Sequence, residues 1–211
     1  MNKPASFFIT FEGLDGCGKT LQSKRLHEYL KSADRKVLLL HEPGSTPLGE
    51  EISRLVKWHN TTDLSPITEL FLFNASRAQL VQDTIKPALA EGSIVIVDRF
   101  TDSTLVYQGY GRGLDLELIR QVNDIALQGC QADLSILLDI PLEVANLRRK
   151  KTSDRFESEK SAFHRKLRAG YLELAENEPE RWMVIDGTLE VDIITSIITE
   201  KVTLLLETTE E

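Results

Sequence analysis

Five short apolar runs punctuate the chain, at Phe7–Glu12, Val37–His41, Ile94–Asp98, Leu134–Asp139 and Met183–Asp186. β-Branched residues and leucine fill most of each run, and four of the five end in an acid. Continuous apolar runs of this length suit strands buried on both faces of a parallel sheet, whereas a half-wet sheet alternates. Between them lie longer segments with helical spacing: Lys19–Ser32, Leu48–His59, Ile67–Glu91, Leu116–Gln128, Leu142–Lys150, Ser161–Glu176 and Val191–Glu207. Ser65-Pro66 gives the third a start, with Pro at its first helical position, and Gly92 gives it a stop. Pro87 is expected to kink or end that helix early. Strands alternating with helices mean βαβ units, hence an α/β fold with a parallel sheet and helices on both faces. In such a sheet ligands collect beyond the carboxyl ends of the strands, where Glu12, His41, Asp98, Asp139 and Asp186 fall.

Composition narrows the function classes. The 211 residues are 41% hydrophobic and 27% charged, enough to build a core and too apolar for a disordered chain. No repeat or linker interrupts them, so residues 1–211 are expected to form a single domain. A net charge of −8 argues against a nucleic-acid or anionic-membrane partner. No apolar stretch approaches the ~18 residues of a membrane span. The first residues run directly into a strand-like segment without a signal peptide's apolar stretch. Cys17 and Cys130 lack metal or redox spacing, and together these features give the expectation of a cytoplasmic protein.

The chemistry begins at Gly13-Leu14-Asp15-Gly16-Cys17-Gly18-Lys19-Thr20, which matches G-x-x-x-x-G-K-[ST] directly between a strand and a helix. Glycines let the backbone wrap a phosphate with its N–H groups pointing inward, and the helix N-terminus adds partial positive charge. Lys19 is placed for the β- and γ-phosphates and the Thr20 hydroxyl for Mg²⁺. The expected donor is therefore ATP, with Mg²⁺ as the cofactor.

A phosphate cradle admits GTPases, ATPases and many small-molecule kinases, so the acceptor must discriminate. Asp98-Arg99-Phe100 closes the third strand: Asp98 suits the metal's water shell, and the planar fork of Arg99 suits a second phosphate. Phe73 and Arg77 are four apart and share a helix face. They would either stack on a base and bond its carbonyl, or be an ordinary core aromatic and a solvated cation. Tyr107 and Gln108 are candidates to bound a sugar. Residues 148–168 hold nine Lys or Arg and three acids, while the stretch from Ala169 onward holds two against eleven. That basic island is either a solvated face or a lid carrying Arg148 and Arg155 over phosphates.

Electrostatics favours the lid. ATP and a monophosphate bring together roughly six negative charges, each close pair costing ~4 kcal/mol near a surface. Lys19, Arg99, Arg148 and Arg155 would screen them. A hydroxyl acceptor also needs a positioned base, whereas a phosphate acceptor is already an anionic nucleophile. The sequence offers arginines in plenty and no clear base–hydroxyl constellation, which points to a nucleoside monophosphate kinase. Another monophosphate or deoxynucleoside kinase, or a nucleotide-dependent switch protein, stays open on these residues alone.

Taken together the motifs resemble thymidylate kinase over nearly the whole chain. The resemblance rests on Phe11-Glu12-Gly13-Leu14-Asp15, Glu42-Pro43-Gly44-Ser45-Thr46, Leu72 through Gln79, Asp98-Arg99-Phe100, Ser103 through Gly109 with Gly111-Arg112-Gly113, and Asp154-Arg155-Phe156-Glu157. It implies a P-loop NTPase fold with a five-stranded parallel sheet, a lid at about 148–160, MgATP-dependent conversion of dTMP to dTDP, and a homodimer. By the same resemblance Phe73 would stack on thymine, Arg77 would bond a thymine carbonyl, and Arg99 would hold the dTMP phosphate. Ser103 and Gln108 would lie nearby, Tyr107 would press on the sugar, Asp15 would approach its 3′-hydroxyl and Glu42 would shape the acceptor site. Gly16, Leu21, His41 and Phe100 depart from residues common in the family. Gly16 replaces a P-loop arginine found in one branch, which assigns catalytic positive charge to the lid.

Overall fold

A computed structural model of the chain describes residues 6–58, 64–148, 155–156 and 159–210. Of the expected lid, Arg149, Lys150, Lys151, Asp154 and Glu157 lie outside the described residues, as does His59 of the second helical segment.

All five apolar runs form strands: β1 (Phe7–Glu12), β2 (Val37–His41), β3 (Ile94–Asp98), β4 (Leu134–Asp139) and β5 (Trp182–Asp186). They pair in parallel in the order β2-β3-β1-β4-β5. β1 therefore lies in the middle, between two strands reached later in the chain, and its carboxyl end opens at the point where the strand order reverses. That crevice is where a sheet of this kind binds ligands.

Alternation along the strands divides the core. Phe8, Val95 and Val97 pack with Leu80, Val81, Ile85, Ala88 and Leu127. Phe7, Ile9, Phe11, Ile94 and Ile96 belong to a larger cluster with Leu26 and Leu30 of α1 (Lys19–Ser32) and Ile194, Ile198, Val202 and Leu206 of α9 (Val191–Glu210). Both faces are thus covered. Each fully buried side chain of this size contributes about 1.5–3 kcal/mol.

The remaining helices are α2 (Pro47–Trp58), α3 (Pro66–Leu80), α4 (Lys86–Ala90), α5 (Thr101–Thr104), α6 (Leu116–Leu127), α7 (Leu142–Arg148) and α8 (Ser161–Asn177). The Ser65 hydroxyl caps α3 by accepting the Thr68 N–H, with Pro66 at the first position. Pro87 does not end this run early. The chain passes through a π-helical turn at Val81–Ile85 and continues into α4. Pro87 lacks an N–H, and its ring crowds the carbonyl four residues back; the wider π turn lies where that crowding falls. A second π-helical segment, Leu105–Gly111, follows α5 directly. Such turns recur at functional sites, and this one carries Tyr107 and Gln108.

Candidate active site

The loop from β1 to α1 is shaped by glycine. Gly13 has φ 133°, and a Cβ there would stand 2.7 Å from the Leu138 carbonyl oxygen and 2.9 Å from Cys17 Sγ. No other residue fits without moving backbone. Lys19 folds back into this loop, its Nζ donating to the carbonyls of Gly13 and Leu14, each at 3.0 Å. These weak neutral acceptors hold the ammonium where an anion can take it over. Thr20 Oγ1 donates to Asp98 Oδ2, bringing α1 and the end of β3 to one point.

Arg99 follows Asp98 with φ 70°, its N–H bonded to the Phe11 carbonyl at 3.0 Å. Its guanidinium reaches Asp15 Oδ1 of the P-loop, Ser103 Oγ at 3.2 Å and the Tyr171 hydroxyl at 3.1 Å. It also lies over the Tyr107 ring, 5.2 Å from its centroid. Tyr107 is buried and donates to Asp15 Oδ2. Asp15, Arg99, Ser103 and Tyr107 therefore form one connected group that ties the P-loop to the end of β3 and to the π-helical segment.

Beyond this group lies a buried ion pair. Glu42, joined to Pro43 by a cis peptide bond, accepts Arg77 Nε at 2.9 Å, and Arg77 Nη2 lies 2.8 Å from the same oxygen. Arg77 also donates to Asn74, Asn123 and Thr104 at 2.9–3.2 Å, so all three of its nitrogens donate to protein acceptors. It is buried rather than solvated, and a base carbonyl that reaches it from the cleft competes with these partners. Burial pushes the Glu42 carboxyl up to about 6, against the pull of Arg77. Its second oxygen, Oε1, is buried without a hydrogen-bond partner.

Phe73 is half-buried and faces Phe156, ring centroids 6.0 Å apart, and Phe156 meets Tyr107 at 5.7 Å. Gln108 is buried and donates to Glu69, away from solvent. The two expected lid arginines diverge. Arg148 Nη1 donates to the Gly187 carbonyl at 2.6 Å, in the loop between β5 and α9. Arg155 bonds the Val56 carbonyl and pairs with the buried Glu69, which also pairs with Arg112.

A cleft of about 1200 Å³ joins these parts; its walls include Asp15, Lys19, Asp98, Arg99, Phe73 and Arg148. Arg155 is not among its lining residues, while Glu42, Arg77, Ser103, Tyr107, Gln108 and Thr20 are. Lining groups not expected from the sequence as site residues include Thr104, Lys57 and Phe156. Thr104 is legible only in retrospect, since its hydroxyl is buried by the Arg77 network. Among the described residues no cluster of three or more His, Cys, Asp or Glu side chains could hold a metal ion, and no helix is long and apolar enough to cross a membrane.

Residues 11–198 match the family model described as thymidylate kinase. The chain belongs to the thymidylate kinase family. It is 49% identical over 203 residues to the thymidylate kinase of Dehalococcoides mccartyi, covering 96% of this chain and 98% of that one. It is 46% identical over 196 residues to that of Caldanaerobacter subterraneus, covering 92% and 94%. The crystal structure of thymidylate kinase from Ehrlichia chaffeensis superimposes with a TM-score of 0.75 at 34% identity, covering 96% of this chain and 99% of the other. The α/β architecture with its five parallel strands is therefore the P-loop NTPase fold that the motifs imply.

Proposed function

We propose that this member of the thymidylate kinase family transfers a phosphoryl group from ATP to dTMP, giving dTDP and ADP on the route to dTTP, by positioning and charge neutralisation. The observation that carries this reading is the single cleft running from Lys19 and Thr20 to Arg99 and Phe73. Two anionic ligands entering from its two ends meet head to head, and their repulsion requires cations between them.

On the donor side, the P-loop amides and the N-terminus of α1 receive the phosphates. Lys19 gives up its two neutral carbonyl acceptors for phosphate oxygens, which carry a charge opposite to its own. Thr20 and Asp98 offer hard oxygen donors to one point, which fits Mg²⁺, a cation that keeps several waters and takes one or two protein ligands. Bound there, Mg²⁺ neutralises charge on the transferring phosphates.

On the acceptor side, Arg99 grips the dTMP phosphate and Phe73 stacks on the ring. Thr104 accepts from Arg77 and so has its own proton to turn toward a ring carbonyl. Asp15 and Tyr107, already joined to Arg99, bound the sugar, with Ser103, Gln108 and Glu42 completing the wall. Arg148, and Arg155 after leaving Glu69, meet the donor from the lid. The acceptor phosphate is the nucleophile, and no general base is required.

The same reading makes the enzyme a homodimer of single-domain chains. α2, α3 and α6 pack side by side and expose Leu48, Phe71, Leu118 and Ile125, apolar surface that a second copy would cover. Both cysteines are free thiols, in keeping with a cytoplasmic location. Coupled ADP release measured with dTMP, other nucleoside monophosphates and thymidine tests the reaction. It predicts dTMP as the preferred acceptor; a preference for thymidine overturns it.

A further inference from the structure

Glu12 is the last residue of β1, fully buried, and no part of the reaction described above uses it. Its carboxylate accepts three hydrogen bonds: from the Phe100 N–H at 2.8 Å, from Ser103 Oγ at 2.6 Å and from the Tyr171 hydroxyl at 3.1 Å. The same two hydroxyls, 2.9 Å apart, are the acceptors of Arg99 Nη1. Three distant parts of the chain, at β1, α5 and α8, thus converge on one side of the Arg99 fork, while Asp15 holds its other terminal nitrogen.

We infer that Glu12 is a positioning residue that aims Arg99 at the acceptor phosphate through Ser103 and Tyr171. This rests on the reading that Arg99 holds that phosphate. The physical basis is proton direction. An ionised Glu12 draws hydroxyl protons inward, which turns oxygen lone pairs outward to Arg99. A protonated Glu12 must donate to one of those oxygens, since Phe100 offers only an N–H; that hydroxyl then shares its lone pairs between Glu12 and Arg99 and has its own proton to place, which weakens its hold on Arg99.

The groups facing Glu12 set when this happens. Burial and the neighbouring Asp102 carboxylate raise its pKa to about 7, against Ser103, Arg99 and the Phe100 N–H. Asp102 is itself gripped through both oxygens by Arg181, at 2.7 and 2.9 Å, while the buried phenols of Tyr107 and Tyr171 also face Glu12. A raised pKa means the carboxyl ionises only as pH rises through about 7, so the arrangement that aims Arg99 strengthens above that pH and is lost below it.

The test is steady-state kinetics of the full-length enzyme between about pH 6 and pH 8.5. Glu12→Gln, which resembles the protonated form, is expected to raise KM for dTMP about tenfold near pH 8, with KM for ATP changing less than about twofold. The ratio of variant to wild-type KM for dTMP should fall toward one as the pH drops below about 7. Titration of the dTMP phosphate, with a second pKa of about 6, cancels in that ratio. Tyr171→Phe should shift KM for dTMP in the same direction, and its effect should add less than fully to that of Glu12→Gln. If Glu12→Gln does not fold, Tyr171→Phe carries the same KM comparison. A ratio independent of pH, or equal effects on both substrates, overturns the inference. Arg99→Ala separates the two levels: if it raises KM for dTMP while Glu12→Gln does not, only the positioning role fails. If Arg99→Ala leaves that KM unchanged, the phosphate reading fails with it.

Discussion

Replacing Arg77 by methionine isolates the buried ion pair under the acceptor side. Glu42 would keep its place with no cation, and Asn74, Asn123 and Thr104 would each lose a donor. Stranding one partner of a buried pair costs about 3–5 kcal/mol. For a chain of this length each kcal/mol moves Tm by about 2–4 °C, so the variant should melt roughly 6–20 °C below the parent. The loss should depend on pH in a defined direction. The folded Glu42 pKa, about 6, already exceeds its ordinary 4.5, so its protonated form favours folding and that contribution fades as pH rises through 6. Without Arg77 the carboxyl rises further, and the deficit against wild type should shrink as the pH is lowered toward 5. Adding Glu42→Leu to Arg77→Met removes the stranded charge and should recover a substantial part of the stability. Differential scanning calorimetry at several pH values reads all three effects. A single variant melting within about 3 °C of the parent, or a double variant whose losses simply add, would refute the idea that the pair acts as one unit.

Three other outcomes follow from the site. Arg155→Ala should reduce turnover by at least about a hundredfold, by comparison with other arginines that meet a transferring phosphoryl group. Its Tm should hardly move, because Glu69 keeps Arg112 and Gln108; unchanged turnover would remove Arg155 from the mechanism. Phe73→Ala should weaken dTMP binding by about 1–3 kcal/mol, as for aromatic stacking on other bases, and leave ATP binding nearly unchanged in calorimetric titrations. Equal effects on both ligands would make Phe73 an ordinary core residue. Ile125→Glu, at a residue 79% exposed on α6, should shift the sedimentation coefficient from dimer to monomer. A wild-type protein that sediments as a monomer would contradict the dimer.

The parts of this protein legible in its sequence are those where chemistry restricts a position to few residue types. Gly13 and Gly18 need positive φ, Lys19 and Thr20 must carry their own functional groups, and strands buried on both faces leave continuous apolar runs. The π-helical segments were not legible, because an extra residue in a helical turn leaves no period of its own; Pro87 marked the strain but not how the chain absorbs it. Arg77 read as either a base ligand or a solvated cation, since nothing near it in sequence announces Glu42, Thr104 and Asn123 as acceptors. Glu12 was visible only as a polar strand end, because its partners at Ser103 and Tyr171 come together through the fold alone.

The most direct test of the central claim is a crystal structure with dTMP and a non-hydrolysable ATP analogue bound together. The pyrimidine should lie against Phe73, its phosphate on Arg99, and the analogue's terminal phosphate beside Lys19. A dTMP phosphate distant from Arg99, or a cleft left empty beside Phe73 at saturating nucleotide, would contradict it.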